Sequence, residues 1–317
     1  MYREKKIGIV VPAFKEETQI ERTLRTMPDY VDHIVVVDDS SPDRTSDVVH
    51  RVSEGDPRVH LIRHEVNRGV GGAISSGYLW CRDHDIDIAV VMAGDGQMDP
   101  EDLPDLLDPV VEDRADYTKG NRLVTGEAWR KIPRVRYLGN SALTLLTKIA
   151  SGYWHVTDSQ TGYTALNKRA MKLLPLHDIY PRYGMPNDFL VTLNIYNMRV
   201  MDVPVKPVYG IGEQSKIRIR KVLFTISTLL CRLFVKRMVQ KYIIRDFHPL
   251  IFFYVFGAML FVPGVLFGAY LFLYRAFAGD VKDTSALFAV FLFVSGLQSL
   301  LFAMLYDMEA NRDLKGH

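Results

Sequence analysis

With only two cysteines in 317 residues, Cys81 and Cys231, set far apart and in no CxxC or zinc-ligand spacing, the chain has no disulfide framework. That points to a reducing, cytoplasmic setting. The nine histidines form no HExxH or paired ligand spacing, so they read as structural, His155 beside Asp158 included. A targeting core is missing too: Ile7–Val11, the apolar stretch after the first charged residues, is too short for a signal peptide, and nothing is expected to be cleaved or exported. Charge of either sign is absent from two long runs, 25 residues from Leu250 to Tyr274 and 22 from Ser285 to Tyr306. Each can cross a hydrocarbon layer of roughly 30 Å, whereas helices of soluble proteins average about 10–14 residues. Both are predicted transmembrane helices, with a kink expected at Pro263.

What is present is unevenly spread. At 48% hydrophobic and 24% charged, the chain is no disordered polymer, and its length suits one large domain or two ordinary ones. Residues 217–246 hold 8 basic and 1 acidic side chains, while 1–216 hold 27 and 31 and 247–317 hold 4 and 5. A basic belt therefore precedes the first apolar run. By the positive-inside rule, residues before the belt and the tail after the second run share the cytoplasmic side. Val222, Ile226, Leu229, Leu230, Leu233 and Val239 recur at helical spacing among these charges, predicting interfacial helices laid on lipid headgroups. The expected organisation is a head at 1–216, basic interfacial helices at 217–246, a transmembrane hairpin at 247–306 and a tail at 307–317.

In the head, apolar runs at Ile7–Val11, His33–Val37, Val59–Ile62 and Ile86–Met92 alternate with helix-like segments Thr18–Met27, Ser46–Ser53, Gly71–Asp83 and Glu101–Val111. The alternation predicts a mostly parallel α/β sheet with ligands at the carboxyl ends of its strands. Polar motifs fall at those ends. Val37-Asp38-Asp39-Ser40-Ser41-Pro42-Asp43 taken alone is as well explained by a turn and helix cap, but beside the Lys15-Glu16-Glu17 loop its carboxylates can accept bonds from a nucleobase or ribose. Ala93-Gly94-Asp95-Gly96-Gln97 offers a carboxylate and an amide oxygen, hard ligands for Mg²⁺ or Mn²⁺, between glycines that admit a bulky ligand.

The ordered set Val11-Pro12-Ala13-Phe14-Lys15-Glu16, Val37-Asp38-Asp39-Ser40-Ser41-Pro42-Asp43, Asn67-Arg68-Gly69-Val70-Gly71-Gly72-Ala73, Gly94-Asp95-Gly96-Gln97, Asp158-Ser159-Gln160-Thr161-Gly162-Tyr163 and Gln214-Ser215-Lys216 resembles family 2 glycosyltransferases of the GT-A fold. Within them it is similar to the polyprenyl-phosphate branch related to dolichol-phosphate mannose synthases. The resemblance spans residues 7–216 and implies a GT-A Rossmann-like α/β catalytic domain with amphipathic juxtamembrane helices and two C-terminal transmembrane helices. It further implies that Pro12, Phe14, Glu16, Val37, Asp39, Gly94, Asp95 and Arg122 bind a nucleotide sugar, and that Asp95 and Gln97 hold the metal. Ala93 stands where many relatives have the first aspartate of Asp-x-Asp. Arg136 matches the arginine that receives the lipid phosphate in relatives, with Asn140 or Ser141 near the hydroxyl position and Ser215 and Lys216 closing over the phosphates. Asp158 or Asp188 would orient the acceptor or take a proton.

The implied reaction is inverting hexosyl transfer from GDP-mannose, UDP-glucose or UDP-N-acetylglucosamine to dolichyl or other polyprenyl phosphate. Partners are then the nucleotide sugar, the lipid phosphate and the bilayer; no nucleic acid is implied, and the spans leave surface for a second copy. Two other readings remain open on sequence alone: a transferase acting on a sugar or diacylglycerol hydroxyl, with Asp188 central, and a noncatalytic nucleotide-binding membrane protein.

Overall fold

A computed structural model describes residues 1–123, 134–206 and 219–316, with the backbone alone at 134–142 and 219–224. The chain divides into two compact units, Met1–Phe234 with Asp313–His317, and Val235–Arg312.

The first unit is built on one seven-stranded sheet in the order β3-β2-β1-β4-β6-β5-β7. Its strands are β1 (Ile7–Ala13), β2 (His33–Asp38), β3 (Val59–Arg63), β4 (Ile88–Val91), β5 (Tyr117–Asn121), β6 (Thr164–Asn167) and β7 (Val200–Pro204). Only β6 runs antiparallel to its neighbours. Period-two alternation feeds two cores. Val10, Val35 and Val37 point to one face, while Ile9, Val11, Ile34 and Val36 point to the other. Helix α3 (Gly69–Asp83) covers the first face through Ala73, Ile74, Tyr78 and Cys81. The second face is covered by α1 (Ile20–Arg25), α2 (Thr45–Gly55) and α4 (Leu103–Val111). With β2 and β4 flanking β1 on opposite sides, the chain reverses its winding beside β1, where an open α/β sheet leaves a crevice at its carboxyl edge.

Beyond β5 the unit carries α5 (Arg134–Ser151), α6 (Lys168–Leu173), α7 (Met185–Ile195) and α8 (Ile219–Val239). The apolar residues of α8 that the spacing assigned to lipid do not all go there. Ile226, Leu230 and Leu233 are buried against Leu143 of α5 and Val191 and Ile195 of α7, so this stretch finds its apolar solvent in protein. After the second long helix the chain returns to the sheet: Lys315 bridges Val200 of β7, and the Gly316 N–H donates to the Val200 carbonyl at 3.0 Å.

The second unit contains two 28-residue helices, α9 (Leu250–Phe277), continuous through Pro263, and α10 (Asp283–Ala310). Their mean hydropathies of 2.4 and 2.1 are high, yet only 17% of each apolar window is buried. A soluble core helix would bury such a surface; these two are long and apolar enough to cross a membrane. Gly257 and Gly264 face α10, where a Cβ would strike Leu300 or the Phe293 backbone, and Gly296 lies against Phe261. These small residues let the two backbones approach closely. Two members of the basic belt are turned inward rather than toward headgroups. The Arg237 guanidinium is fully buried and bidentate on Asp307, at 2.7 and 2.8 Å. The Lys241 ammonium donates to Asn311 Oδ1 at 2.8 Å, and the Tyr242 hydroxyl donates to Asp307 at 2.8 Å. Exposed apolar side chains do follow Phe234: Val235, Val239, Ile243, Ile244 and Phe247.

Candidate active site

Strand β1 ends in Ala13, and the chain turns through Phe14 and Lys15, the latter in the left-handed region at φ 64°. The turn is fastened to the loop after β2: the Lys15 N–H donates to Ser41 Oγ at 3.1 Å and the Glu16 N–H to Thr45 Oγ1 at 3.0 Å. Asp38, at the end of β2, is spent on its own loop, accepting from the Ser41 N–H and the Ser46 hydroxyl.

Asp39 is buried at the N-terminus of α3. Its Oδ1 accepts from the Arg68 N–H at 2.7 Å and pairs with His64 Nδ1 at 2.7 Å, and its Oδ2 accepts from the Gly69 N–H at 2.7 Å. An ionised carboxylate only accepts, so Nδ1 of His64 donates to it, and Nε2 lies 2.9 Å from the Ser76 hydroxyl. A carboxylate has about four acceptor positions. Three are engaged within the described residues, and a ligand donor would meet the remaining one on Oδ2. His64 was not singled out from sequence, and Asn67, part of a motif that was, gains a role here: its amide donates to the Asp39 carbonyl at 3.0 Å.

Strand β4 runs into the glycine-rich loop. The Gly94 N–H reaches the Pro12 carbonyl at 3.4 Å, and the Thr23 hydroxyl donates to the Gly94 carbonyl at 3.3 Å, which seats this loop against the end of β1. Asp95 Oδ1 accepts the Gln97 N–H at 3.0 Å, a short turn that Gly96 closes at φ 72°. Asp95 and Gln97 thus share one turn and offer a carboxylate and a carboxamide oxygen. Ala93 adds no ligand atom, and among the described residues no three His, Cys, Asp or Glu side chains converge. Two hard oxygen donors suit a divalent ion that draws the rest of its shell from phosphate oxygens and water, the habit of Mg²⁺.

Across the sheet, Arg122 follows β5 and Asp158 lies in the loop before β6. Arg122 Nε and one terminal nitrogen grip the Asp158 carboxylate at 2.8 and 3.2 Å, and the Gln160 N–H adds a bond of 3.2 Å. Burial pushes the Asp158 pKa upward, but the guanidinium and the nearby Lys119 charge outweigh it and hold the carboxyl below its ordinary range. Asp188, buried in the first turn of α7, accepts the Tyr180 N–H at 2.8 Å. The two acidic segments meet through Gln160, whose amide donates to Asn187 Oδ1 at 3.2 Å, while the Thr147 hydroxyl of α5 reaches the same oxygen at 3.0 Å. Gly71 explains how α3 joins them: its N–H reaches the Pro181 carbonyl at 2.9 Å, and any Cβ there would strike the Tyr180 carbonyl. Arg136, Asn140 and Ser141 lie on the N-terminal half of α5, where the backbone alone is described, and Ser215 and Lys216 lie outside the described residues.

The motif residues therefore gather in two groups. Pro12, Phe14, Glu16, Val37, Asp39 and Gly94 to Gln97 occupy the carboxyl edge of β1, β2 and β4, while Arg122, Asp158 and Asp188 frame the β5–β7 side. Residues 8–174 match the family model described as glycosyl transferase family 2. The chain belongs to that family. One relative of this family 2 chain is the UDP-N-acetylglucosamine–dolichyl-phosphate N-acetylglucosaminyltransferase of Methanococcus voltae, 30% identical over 65% of this chain and 87% of that protein. Another is the undecaprenyl-phosphate mannosyltransferase of Micrococcus luteus, 31% identical over 62% of this chain and 81% of the relative. Among solved structures, glucosyl-3-phosphoglycerate synthase from Mycobacterium tuberculosis, in complex with Mn²⁺, UDP and glucosyl-3-phosphoglycerate, superposes with a TM-score of 0.53 at 19% identity, covering 74% of this chain and 80% of that one. This last likeness is one of fold. The mixed α/β head is the GT-A arrangement that the motifs resembled.

Proposed function

We propose that this family 2 glycosyltransferase moves a hexosyl group from a nucleotide sugar to a polyprenyl phosphate, with inversion at the anomeric carbon. The observation that carries the reading is the pairing of a nucleotide-type crevice with a two-helix apolar hairpin on one chain. The activities of the two relatives add support. On this reading the nucleoside lies along Pro12, Phe14, Glu16, Val37 and Asp39, the last offering Oδ2 to a base N–H, and the diphosphate lies over Gly94 and Asp95 toward Arg122. Asp95 and Gln97 hold Mg²⁺ or Mn²⁺, which when bound draws charge from the leaving diphosphate.

The acceptor phosphate is anionic before it reacts. One of its oxygens attacks the anomeric carbon, and the bond to the nucleoside diphosphate breaks with its electron pair on the leaving oxygen. No proton has to be removed, so positioning and charge dominate. Asp158 fits a positioning role better than a basic one, because its low pKa makes it a weak proton acceptor. Asp188 fixes the Tyr180 turn beside it. Arg136 with Asn140 or Ser141, and Ser215 with Lys216, would bind the acceptor phosphate. A head on the cytoplasmic face agrees with the basic belt by the positive-inside rule.

The test is turnover by the purified full chain in lipid, with undecaprenyl or dolichyl phosphate as acceptor and UDP-N-acetylglucosamine, UDP-glucose and GDP-mannose offered in turn. The expected product is a lipid-phosphate-linked sugar, lost in chelator and restored by Mg²⁺ or Mn²⁺. Transfer to a lipid or sugar hydroxyl but not to the phosphate would sink the proposal.

A further inference from the structure

Lys119 is the one fully buried lysine of the described head residues. It stands on β5 directly in register with Asp202 of the parallel strand β7, so both side chains leave the sheet on the same face. Thr118, one residue back, points to the other face, where its hydroxyl donates to the Leu106 carbonyl of α4 at 2.7 Å. On the Lys119 side lies the loop that carries Asp158. The Lys119 ammonium donates to the Thr161 carbonyl at 2.5 Å. Asp202 Oδ2 accepts the Thr157 N–H at 2.8 Å and the Thr157 hydroxyl at 2.9 Å. The loop is thus fastened on both sides of Asp158.

The charges facing Lys119 are Asp158, Asp202 and Arg122, two anions and one cation that it brings to balance. His155 faces Asp202 as well; burial lowers its pKa, and its Nε2 sits 2.9 Å from the Val200 carbonyl, so it is neutral in the alkaline range. Burial brings the Lys119 pKa down to about 8, against the pull of the two carboxylates. At neutral pH the protonated side chain carries a desolvation cost that its attraction to Asp158 and Asp202 offsets only in part.

We propose that Lys119 is a positioning residue for the transfer reaction: it holds the Thr157–Thr161 loop so that Asp158 keeps Arg122 aimed at the anionic donor, and it balances the charge Asp202 brings beneath the site. The proposal rests on the function argued above, because it needs Arg122 to serve the donor diphosphate.

The experiment uses the full chain in lipid with undecaprenyl phosphate and whichever of the three nucleotide sugars turns over. Lys119→Met is expected to melt near the wild-type temperature, the relieved desolvation offsetting the counter-charge lost to Asp202, while kcat/KM at pH 7 falls about ten- to a hundredfold, the usual scale for a misplaced binding group. Wild-type kcat/KM, which reports the free enzyme, is expected to decline through about pH 8 toward the Lys119→Met value. Lys119→Arg, which keeps its charge at all these pH values, is expected to recover activity and lose that alkaline decline. If Lys119→Arg fails to fold, convergence of wild type and Lys119→Met at high pH carries the test. A Lys119→Met protein with wild-type kcat/KM and an unchanged alkaline limb overturns the proposal. So does one whose melting temperature and activity fall together, which would make the lysine structural. Wild type inactive with every donor overturns the function reading itself, and the role of Lys119 with it.

Discussion

Replacing Arg122 with alanine should reverse the way the stability of the head depends on pH. Asp158 is 5% exposed and is gripped by two guanidinium nitrogens. Breaking a buried pair by removing one member costs about 3–5 kcal/mol. Arg122 keeps 37% of its side chain exposed, so solvent already screens part of that interaction, and a loss of about 1–3 kcal/mol at pH 7 is expected. In the wild type the Asp158 pKa lies below its unfolded value, so the stability it contributes is complete at neutral pH and is lost only as pH falls through the folded pKa. Without Arg122, burial becomes the leading influence and the folded pKa rises above the unfolded value of roughly 3.9. The ionised carboxylate then opposes folding at neutral pH, and lowering the pH toward the new pKa relieves it. Thermal melts of wild type and Arg122→Ala between about pH 4.5 and 7 read this directly: Asp158 adds no slope to the wild-type curve in that window, whereas Arg122→Ala should gain stability as pH falls. Arg122→Ala melts that track the wild-type slope would refute the account of what holds Asp158 ionised.

Three further outcomes follow from the geometry. Asp39→Asn swaps a carboxylate oxygen for an amide that cannot accept, so it should weaken nucleotide binding and also lower stability by about 1–3 kcal/mol through the α3 N-terminus; calorimetric titration with UDP and GDP alongside melts separates the two effects. Gly71→Ala would drive a Cβ into the Tyr180 carbonyl and should cost about 1–3 kcal/mol, read by denaturant unfolding, whereas Gly55→Ala, with open space around its Cβ position, should be close to neutral. His33 and His60 pair at 3.0 Å beside Trp80, and burial lowers both pKa values, so the stability they contribute should fall as pH drops through their unfolded value of roughly 6.5; a double His33→Gln, His60→Gln protein should show a flatter melt profile there.

Strands β1, β2 and β4 were legible because each is a nearly unbroken apolar run buried on both faces, and β3 because a short run, half-buried at Leu61 and Ile62, stands between two helix-like segments. Strands β5 to β7 were not, since Lys119, Asn121 and Asp202 are polar residues inside the sheet whose partners come from other strands and from the Asp158 loop. Periodicity along one segment carries no information about such cross-strand neutralisation. Helix α8 shows a second limit: its apolar spacing was plain, but lipid and a protein surface are equally good destinations for Ile226, Leu230 and Leu233. Arg237 looked like a surface charge for a similar reason, because Asp307, its partner, lies 70 residues away. Asp39 was correctly noticed as a strand-end carboxylate, while its load of three internal hydrogen bonds depended on where α3 begins.

The return of residues 313–316 to β7 bears on how such a protein is made. The backbone bond from Gly316 to Val200 attaches an edge strand of the catalytic sheet to residues synthesised only after both apolar helices. A ribosome can release most of the head early, but the edge beside Val200 waits until both apolar helices have been made and the chain has come back. Synthesis of the two apolar helices and completion of the sheet become successive steps, and a chain whose residues 313–316 fail to return leaves that edge open. Capping of β7 is therefore a late event in the folding of the head.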